Sequence, residues 1–243
     1  MMPELILAGG GDAEDSRPLD EVLARRVPTG GALLYLPIAL DPREHSYTSC
    51  HEWLRSVFAP LGLDNIVMWA DISGKGDADL DAFVGVYIGG GNTFTLLHAL
   101  RVARFLTPLR RFLAHGGIVY GGSAGAIILG KDIMTAADAD PNEVGLRDSS
   151  GLDLLDGYSV WCHYQPGDDG RIADYIRRHT SPVIALSERA GIYIRGRRAQ
   201  GAGRLATGPA TARSGWRRRP ARRRSGRPLA CQTRQSRPRS HQR

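Results

Sequence analysis

Gly121-Gly122-Ser123-Ala124-Gly125-Ala126 is the stretch on which the reading of this chain turns. The apolar run Ile118-Val119-Tyr120 leads into it and Ile127-Ile128-Leu129 leads out. A serine set among glycines, where a strand gives way to a helix, has the G-x-S-x-G pattern of a nucleophile elbow. Such a turn is sharp, which favours glycine close to the serine on either side, and it lifts the hydroxyl clear of the backbone. The helix N-terminus behind it favours negative charge developing nearby. The pattern points to a hydrolase that works through a covalent acyl-enzyme. Taken alone, it also describes a small-residue turn that lets a helix pack on a sheet, so the partners of the serine must be sought elsewhere.

Outward from this point, apolar runs at 5–8, 32–36, 66–69, 85–88, 158–162 and 183–186 alternate with segments of helical period at 19–26, 47–61, 93–104, 107–115 and 171–179. The alternation predicts an α/β domain in which all these runs join one mostly parallel sheet wound by helices. Residues 195–205 read as a last hairpin, which puts the domain at 1–205. The segment 206–243 has a different composition. Residues 195–243 carry 16 arginines and no Lys, Asp or Glu, so the formal charge of +7 hides a body, 1–194, of 16 basic and 25 acidic residues. The tail is Arg, Pro, Ser and Gly with scattered apolar residues and cannot offset its chain entropy, so it reads as disordered. Text of this kind is what a shifted reading frame of a GC-rich gene yields. A solvated linker and a polyanion-binding tail are the alternatives, the last weakened because Trp216 is its only aromatic residue.

The remaining composition excludes several classes. No run approaches the ~20 apolar residues of a membrane helix, and the polar N-terminus has no signal-peptide layout. Cys50, Cys162 and Cys231 are too scattered for a disulfide framework or a zinc site, so a cytoplasmic chain is expected.

A second glycine turn, Ile88-Gly89-Gly90-Gly91-Asn92-Thr93, also lies between a strand and a helix. Glycines there let the backbone approach a ligand and turn N–H groups towards an anion. An acyl-transfer site needs two such donors, and Gly91 and Ala124, the residue after the serine, are the candidates. Gly90 and Asn92 flank that donor and are candidate substrate contacts, although Asn92 or Thr93 could equally be a plain helix cap. A nucleotide loop would need G-K-[ST] or G-x-G-x-x-G, and neither is present. The serine also needs a base. Of seven histidines, His163 follows the run 158–162 and falls at the edge where such sheets deliver functional groups. The base in turn needs a carboxylate. Glu188, after the run 183–186, is best placed by topology. Asp138 and Asp140 are alternatives, with Asp140 read as a solvated loop acid.

Together these residues resemble the serine-peptidase family of aspartyl dipeptidase (peptidase E) and cyanophycinase. The resemblance is carried by Tyr-Ile-Gly-Gly-Gly-Asn-Thr-Phe at 87–94, Gly-Gly-Ser-Ala-Gly-Ala at 121–126, His-Tyr-Gln-Pro at 163–166 and Ala-Leu-Ser-Glu at 185–188. It spans roughly residues 3–200 and implies a class I glutamine amidotransferase-like, flavodoxin-like three-layer sandwich. It further implies Ser123 as nucleophile, His163 as base, Glu188 as third member, Asp138 as a further relay acid, and Gly91 and Ala124 as oxyanion donors. The order Ser, His, Glu differs from that of α/β-hydrolases, whose acid precedes the histidine. Aspartyl dipeptidases carry an arginine between the histidine and the next helix to pair with the substrate aspartate. Here that segment reads Gly167-Asp168-Asp169-Gly170-Arg171. Arg171 can grip a carboxylate with two parallel bonds, whereas Asp168 and Asp169 would favour an amine or guanidinium. Cys162, inside an apolar run, reads as a buried and inert thiol.

The expectation is a serine-type dipeptidase acting on small peptides with no metal or cofactor. A cyanophycinase-like hydrolase of Asp-Arg peptides and a non-catalytic binding module of the same fold are the alternatives. No membrane or nucleic-acid partner is expected, and a homodimer through an exposed sheet edge is left open.

Overall fold

The computed structural model describes residues 3–206 apart from 197, 203 and 204. The readings of the arginine-rich segment therefore lie, from 207 on, outside the described residues. In chain order the elements are β1 (Glu4–Ala8), α1 (Ala13–Arg26), β2 (Leu33–Leu36), α2 (Tyr47–Phe58), β3 (Ile66–Met68), α3 (Asp77–Leu80), β4 (Gly85–Ile88), α4 (Thr93–Val102), α5 (Leu106–Ala114), β5 (Ile118–Gly122) and α6 (Ala124–Ile127). They continue with β6 (Ser159–Trp161), α7 (Asp169–His179), β7 (Val183–Leu186), β8 (Gly191–Arg195), β9 (Arg198–Ala202) and β10 (Leu205–Ala206).

The main sheet has the order β3-β2-β4-β5-β1-β8-β9. Its first five strands are parallel, and β8 and β9 continue it antiparallel as a hairpin. The parallel strands β1, β2, β4 and β5 read as unbroken apolar runs because both faces are covered, whereas the edge strand β3 leaves Val67 exposed. On one face Leu5, Leu7, Leu34, Leu36, Val86, Ile88 and Val119 pack under α4, α5 and α6. On the other, Ile6, Leu33, Tyr35, Tyr87 and Tyr120 pack under α1 and α2, through Leu19, Leu23, Leu54 and Phe58. The result is a three-layer α/β sandwich.

Two expectations are corrected. β6 and β7 do not complete the main sheet; with β10 they form a separate three-stranded sheet, order β10-β7-β6, whose small core of Trp161, Ile172, Tyr175 and Ala185 lies against α7. Helix α1 begins well before residue 19. Asp12 caps it, accepting the N–H groups of Glu14 and Asp15 at 2.9 Å, and the helix runs through Pro18. Proline in a helix interior loses one backbone bond and strains one turn, and here the cap and the buried stripe Leu19–Leu23 outweigh that cost.

The α1/α2 face holds an unusual polar inclusion. Tyr35, Tyr87 and Tyr120 stand in register on β2, β4 and β5. Tyr87 and Tyr120 stack at 4.4 Å, and the Tyr120 hydroxyl donates to Asp20 at 2.9 Å. Ser16 donates to the other oxygen of Asp20, also at 2.9 Å. Asp20 is 2% exposed, and burial pushes its carboxyl up to about 6.

Candidate active site

Three adjacent strands, β4, β5 and β1, end in glycine turns at the same carboxyl edge of the sheet, and Ser123 stands at the middle one. Ser123 has φ +48° and ψ −108°, a strained conformation for a residue with a side chain. It is fixed from both sides: its N–H donates to Ala8 O at 3.0 Å, and its carbonyl accepts from Ala126 and Ile127 at 2.8 and 2.9 Å. The neighbouring glycines are not equivalent. A Cβ on Gly121 would lie 2.5 Å from the Gly125 carbonyl, and one on Gly125 would lie 2.3 Å from Ile88 O. These two let α6 cross close over β4 and β5. Gly122, beside the serine, would meet nothing nearer than Tyr87 Oη at 3.5 Å, an ordinary contact. The steric demand thus falls two residues either side of Ser123.

His163 comes from the end of β6 and Glu188 from the turn after β7, so the small sheet carries both. Ser123 Oγ is 2.8 Å from His163 Nε2, and His163 Nδ1 is 3.3 Å from Glu188 Oε1. His163 has φ +53°, and its backbone N–H donates to Gly9 O at 3.0 Å across the gap between the two sheets. Its side chain and that of Glu188 are about half exposed, so the hydrogen-bonded row opens to solvent.

The loop after β4 lies alongside. A Cβ on Gly90 would stand 3.3 Å from Ser123 Cβ. Gly91 has φ +134° and would drive a Cβ to 2.2 Å from Ala39 O, so it has to be glycine. Among the described residues no protein acceptor takes the N–H of Gly91 or of Ala124. The side chain of Asn92 is engaged within the fold. Its Oδ1 caps α4 by accepting from Thr95 N at 2.9 Å, and its Nδ2 donates to Pro141 O at 2.8 Å.

The acids expected near His163 separate. Asp138 lies at Arg171, accepting from Nη2 at 2.7 Å and Nε at 3.2 Å, and among the described residues it makes no hydrogen bond to His163. The remaining Arg171 nitrogen donates to Asp168 at 2.8 Å, and the guanidinium sits 5.1 Å from the Trp161 ring centre. Arg171 is thus held by two carboxylates and an aromatic face. Asp169 accepts from the Tyr164 hydroxyl at 2.8 Å. Asp140 is not a solvated loop acid: its Oδ2 accepts Thr93 N at 2.8 Å and caps α4 beside the Gly90–Gly91 turn. Cys162 is buried with Sγ 3.6 Å from Ser123 O, and burial pushes its thiol far up, so it stays protonated.

Sequence reasoning missed the third glycine turn. Gly9-Gly10-Gly11 was visible as a glycine run at a strand end, the same signal that singled out 89–91, but only the fold shows it lying under His163. Among the described residues, no group of three or more His, Cys, Asp or Glu side chains is placed to hold a metal ion, and no helix is long and apolar enough to cross a membrane.

Comparison with known proteins places the chain in a family. The chain is 29% identical over 187 residues to Peptidase E of Streptomyces coelicolor, covering 71% of this chain and 72% of that one. It is 27% identical over 179 residues to a protein of Drosophila melanogaster named as an alpha-aspartyl dipeptidase, covering 69% and 70%. A solved structure of a candidate peptidase E from Listeria monocytogenes EGD-e superposes with a TM-score of 0.68 at 24% identity, over 84% of this chain and 99% of that one, which shows the shared fold. The sequence model of peptidase family S51 matches residues 5–201. This chain therefore belongs to peptidase family S51 and is a serine peptidase.

Proposed function

We propose that the chain hydrolyses small peptides through an acyl-enzyme on Ser123, with His163 as general base and Glu188 as the third member of the relay. The observation that carries this reading is the unbroken row Ser123 Oγ–His163 Nε2–Glu188, at 2.8 and 3.3 Å. In the first half-reaction His163 takes the Ser123 proton as Oγ attacks the scissile carbonyl. The N–H groups of Gly91 and Ala124 receive the oxyanion, and His163 hands the proton to the leaving amine as the C–N bond breaks. Water then attacks the ester, His163 takes its proton, and Ser123 leaves reprotonated. Glu188 holds the imidazole in the tautomer with the proton on Nδ1 and steadies its charged form.

The relative named as an alpha-aspartyl dipeptidase supports a dipeptide-sized substrate. Preference for aspartate is another matter. Arg171 already satisfies Asp138 and Asp168, so a substrate carboxylate would have to displace one of them. We read the specificity as not strictly for aspartate, and residues 1–205 as the catalytic unit, acting in the cytoplasm.

Ser123→Ala is the deciding variant. Hydrolysis of Asp-X and Arg-containing dipeptides should vanish while thermal unfolding stays cooperative, and a fluorophosphonate probe should label the parent but not the variant. Hydrolysis retained by Ser123→Ala would overturn the proposal. An unlabelled parent would favour a non-catalytic binding role for the same glycine turns.

A further inference from the structure

The turn Gly9-Gly10-Gly11, between β1 and α1, touches both later members of the relay without supplying a side chain to it. Gly10 has φ +102°, and a Cβ there would lie 2.3 Å from Cε1 and 2.5 Å from Nε2 of His163. Nε2 is the atom hydrogen-bonded to Ser123 Oγ. On one side of this contact Gly9 O accepts the His163 N–H at 3.0 Å, and a Cβ on Gly9 would reach to 2.0 Å from Ser187 O. On the other side a Cβ on Gly11 would reach to 2.4 Å from Glu188 O. The turn is therefore pressed along the whole His163–Glu188 pair.

This contact matters because the imidazole stands half open to solvent. The His163 side chain is 45% exposed, and its backbone carries the strain of φ +53°. One hydrogen bond at each ring nitrogen sets the orientation, and the longer of the two is 3.3 Å. We propose that Gly10 is a positioning residue: its missing side chain and left-handed backbone make the slot in which the His163 ring lies, and this keeps Nε2 on Ser123. The assignment rests on His163 being the base. Any side chain at position 10 would occupy the volume of the ring edge that faces Ser123. It would swing the imidazole away and leave Ser123, Gly91 and Ala124 in place.

The test is a double-mutant cycle of Gly10→Ala with His163→Ala, with Gly30→Ala as control. Gly30 has φ +79° and open space around it, so alanine there imposes the backbone strain without the collision. Gly10→Ala should lower kcat about 100-fold, the scale of a misplaced catalytic group, with KM little changed. It should also lower Tm by several degrees more in the parent than in the His163→Ala background, where the collision partner is gone. Gly30→Ala should lower Tm and leave kcat alone. Should Gly10→Ala fail to fold, recovery of folding on adding His163→Ala gives the same support. Equal Tm losses in the two backgrounds, an unchanged kcat, or no recovery of folding each overturn the assignment. The stability coupling needs no substrate, so its failure is distinct from failure of the triad reading, which Ser123→Ala tests.

Discussion

Glu188 and Asp138 were both within reach of His163 on the sequence, and their side chains end in different company. Glu188 follows β7, whose pairing with β6 sets its turn beside His163. Asp138 faces Arg171, a partner 33 residues away that no local pattern connects to it. This separates two variants. Glu188→Gln should lower kcat by roughly 10²–10⁴-fold, because the amide cannot stabilise the imidazolium. Asp138→Asn should change kcat by less than about tenfold, since it breaks only a solvent-exposed ion pair worth ~0–1 kcal/mol. Steady-state kinetics on one dipeptide decides both, and equal losses would mean that Asp138 also reaches the imidazole during turnover. The glycines beside Ser123 divide as sharply. Gly125→Ala should cost about 3 kcal/mol or more, because its methyl would meet Ile88 O at 2.3 Å. Gly122→Ala, with 3.5 Å of clearance, should leave the unfolding midpoint within a few degrees of the parent. The G-x-S-x-G spacing was legible in the sequence; which glycine meets which carbonyl was not, since Gly121 is crowded by the backbone of α6 and Gly125 by that of β4, contacts that only the fold creates.

At the scale of elements, β1, β2, β4 and β5 could be read directly because strands buried on both faces leave continuous apolar text, and the edge strand β3 by its short apolar run. The division into two sheets could not. The runs at 159–161 and 183–186 look the same whether they extend the main sheet or pair with each other; in the fold β7 pairs with β6 on one side and with β10 on the other. The start of α1 was obscured by Pro18, and the double cap on α4 by the distance between its parts. Asn92 and Asp140 both cap that helix, one local and one 47 residues removed in sequence. Asp140→Ala should therefore lose about 1 kcal/mol of stability. It should also lower kcat, because Thr93 is two residues from the proposed oxyanion donor Gly91. A stability loss with unchanged turnover would show that the Gly91 turn is held without this cap.

For the molecule as a whole, Asp20 makes stability depend on pH in the direction opposite to a surface carboxylate. Its carboxyl titrates at about 6 in the fold, against 3.8 as the reference value, and burial is the main cause. Below pH ~4 it is protonated folded and unfolded, and it costs nothing. As pH rises towards 6 the unfolded chain ionises freely while the folded one resists, so stability falls by an amount approaching about 3 kcal/mol. Asp20→Asn keeps a polar partner for Ser16 and Tyr120 without the charge. Its stability relative to the parent should rise between pH 4 and pH 7 by about that amount in denaturant titrations. A difference independent of pH would refute the assignment.

The strand order carries one more consequence. β1 lies between β5 and β8, so the first strand pairs with partners whose residues, 118–122 and 191–195, come more than a hundred positions later. During synthesis, when chains emerge from the N-terminus onward, β1 and its glycine turn wait for partners not yet made. Ser123 is present well before His163 and Glu188 arrive on the second sheet. With the relay proposed above, a half-made chain has a serine with nothing to activate it, and the ability to cut peptides would switch on only when nearly the entire described fold has left the ribosome.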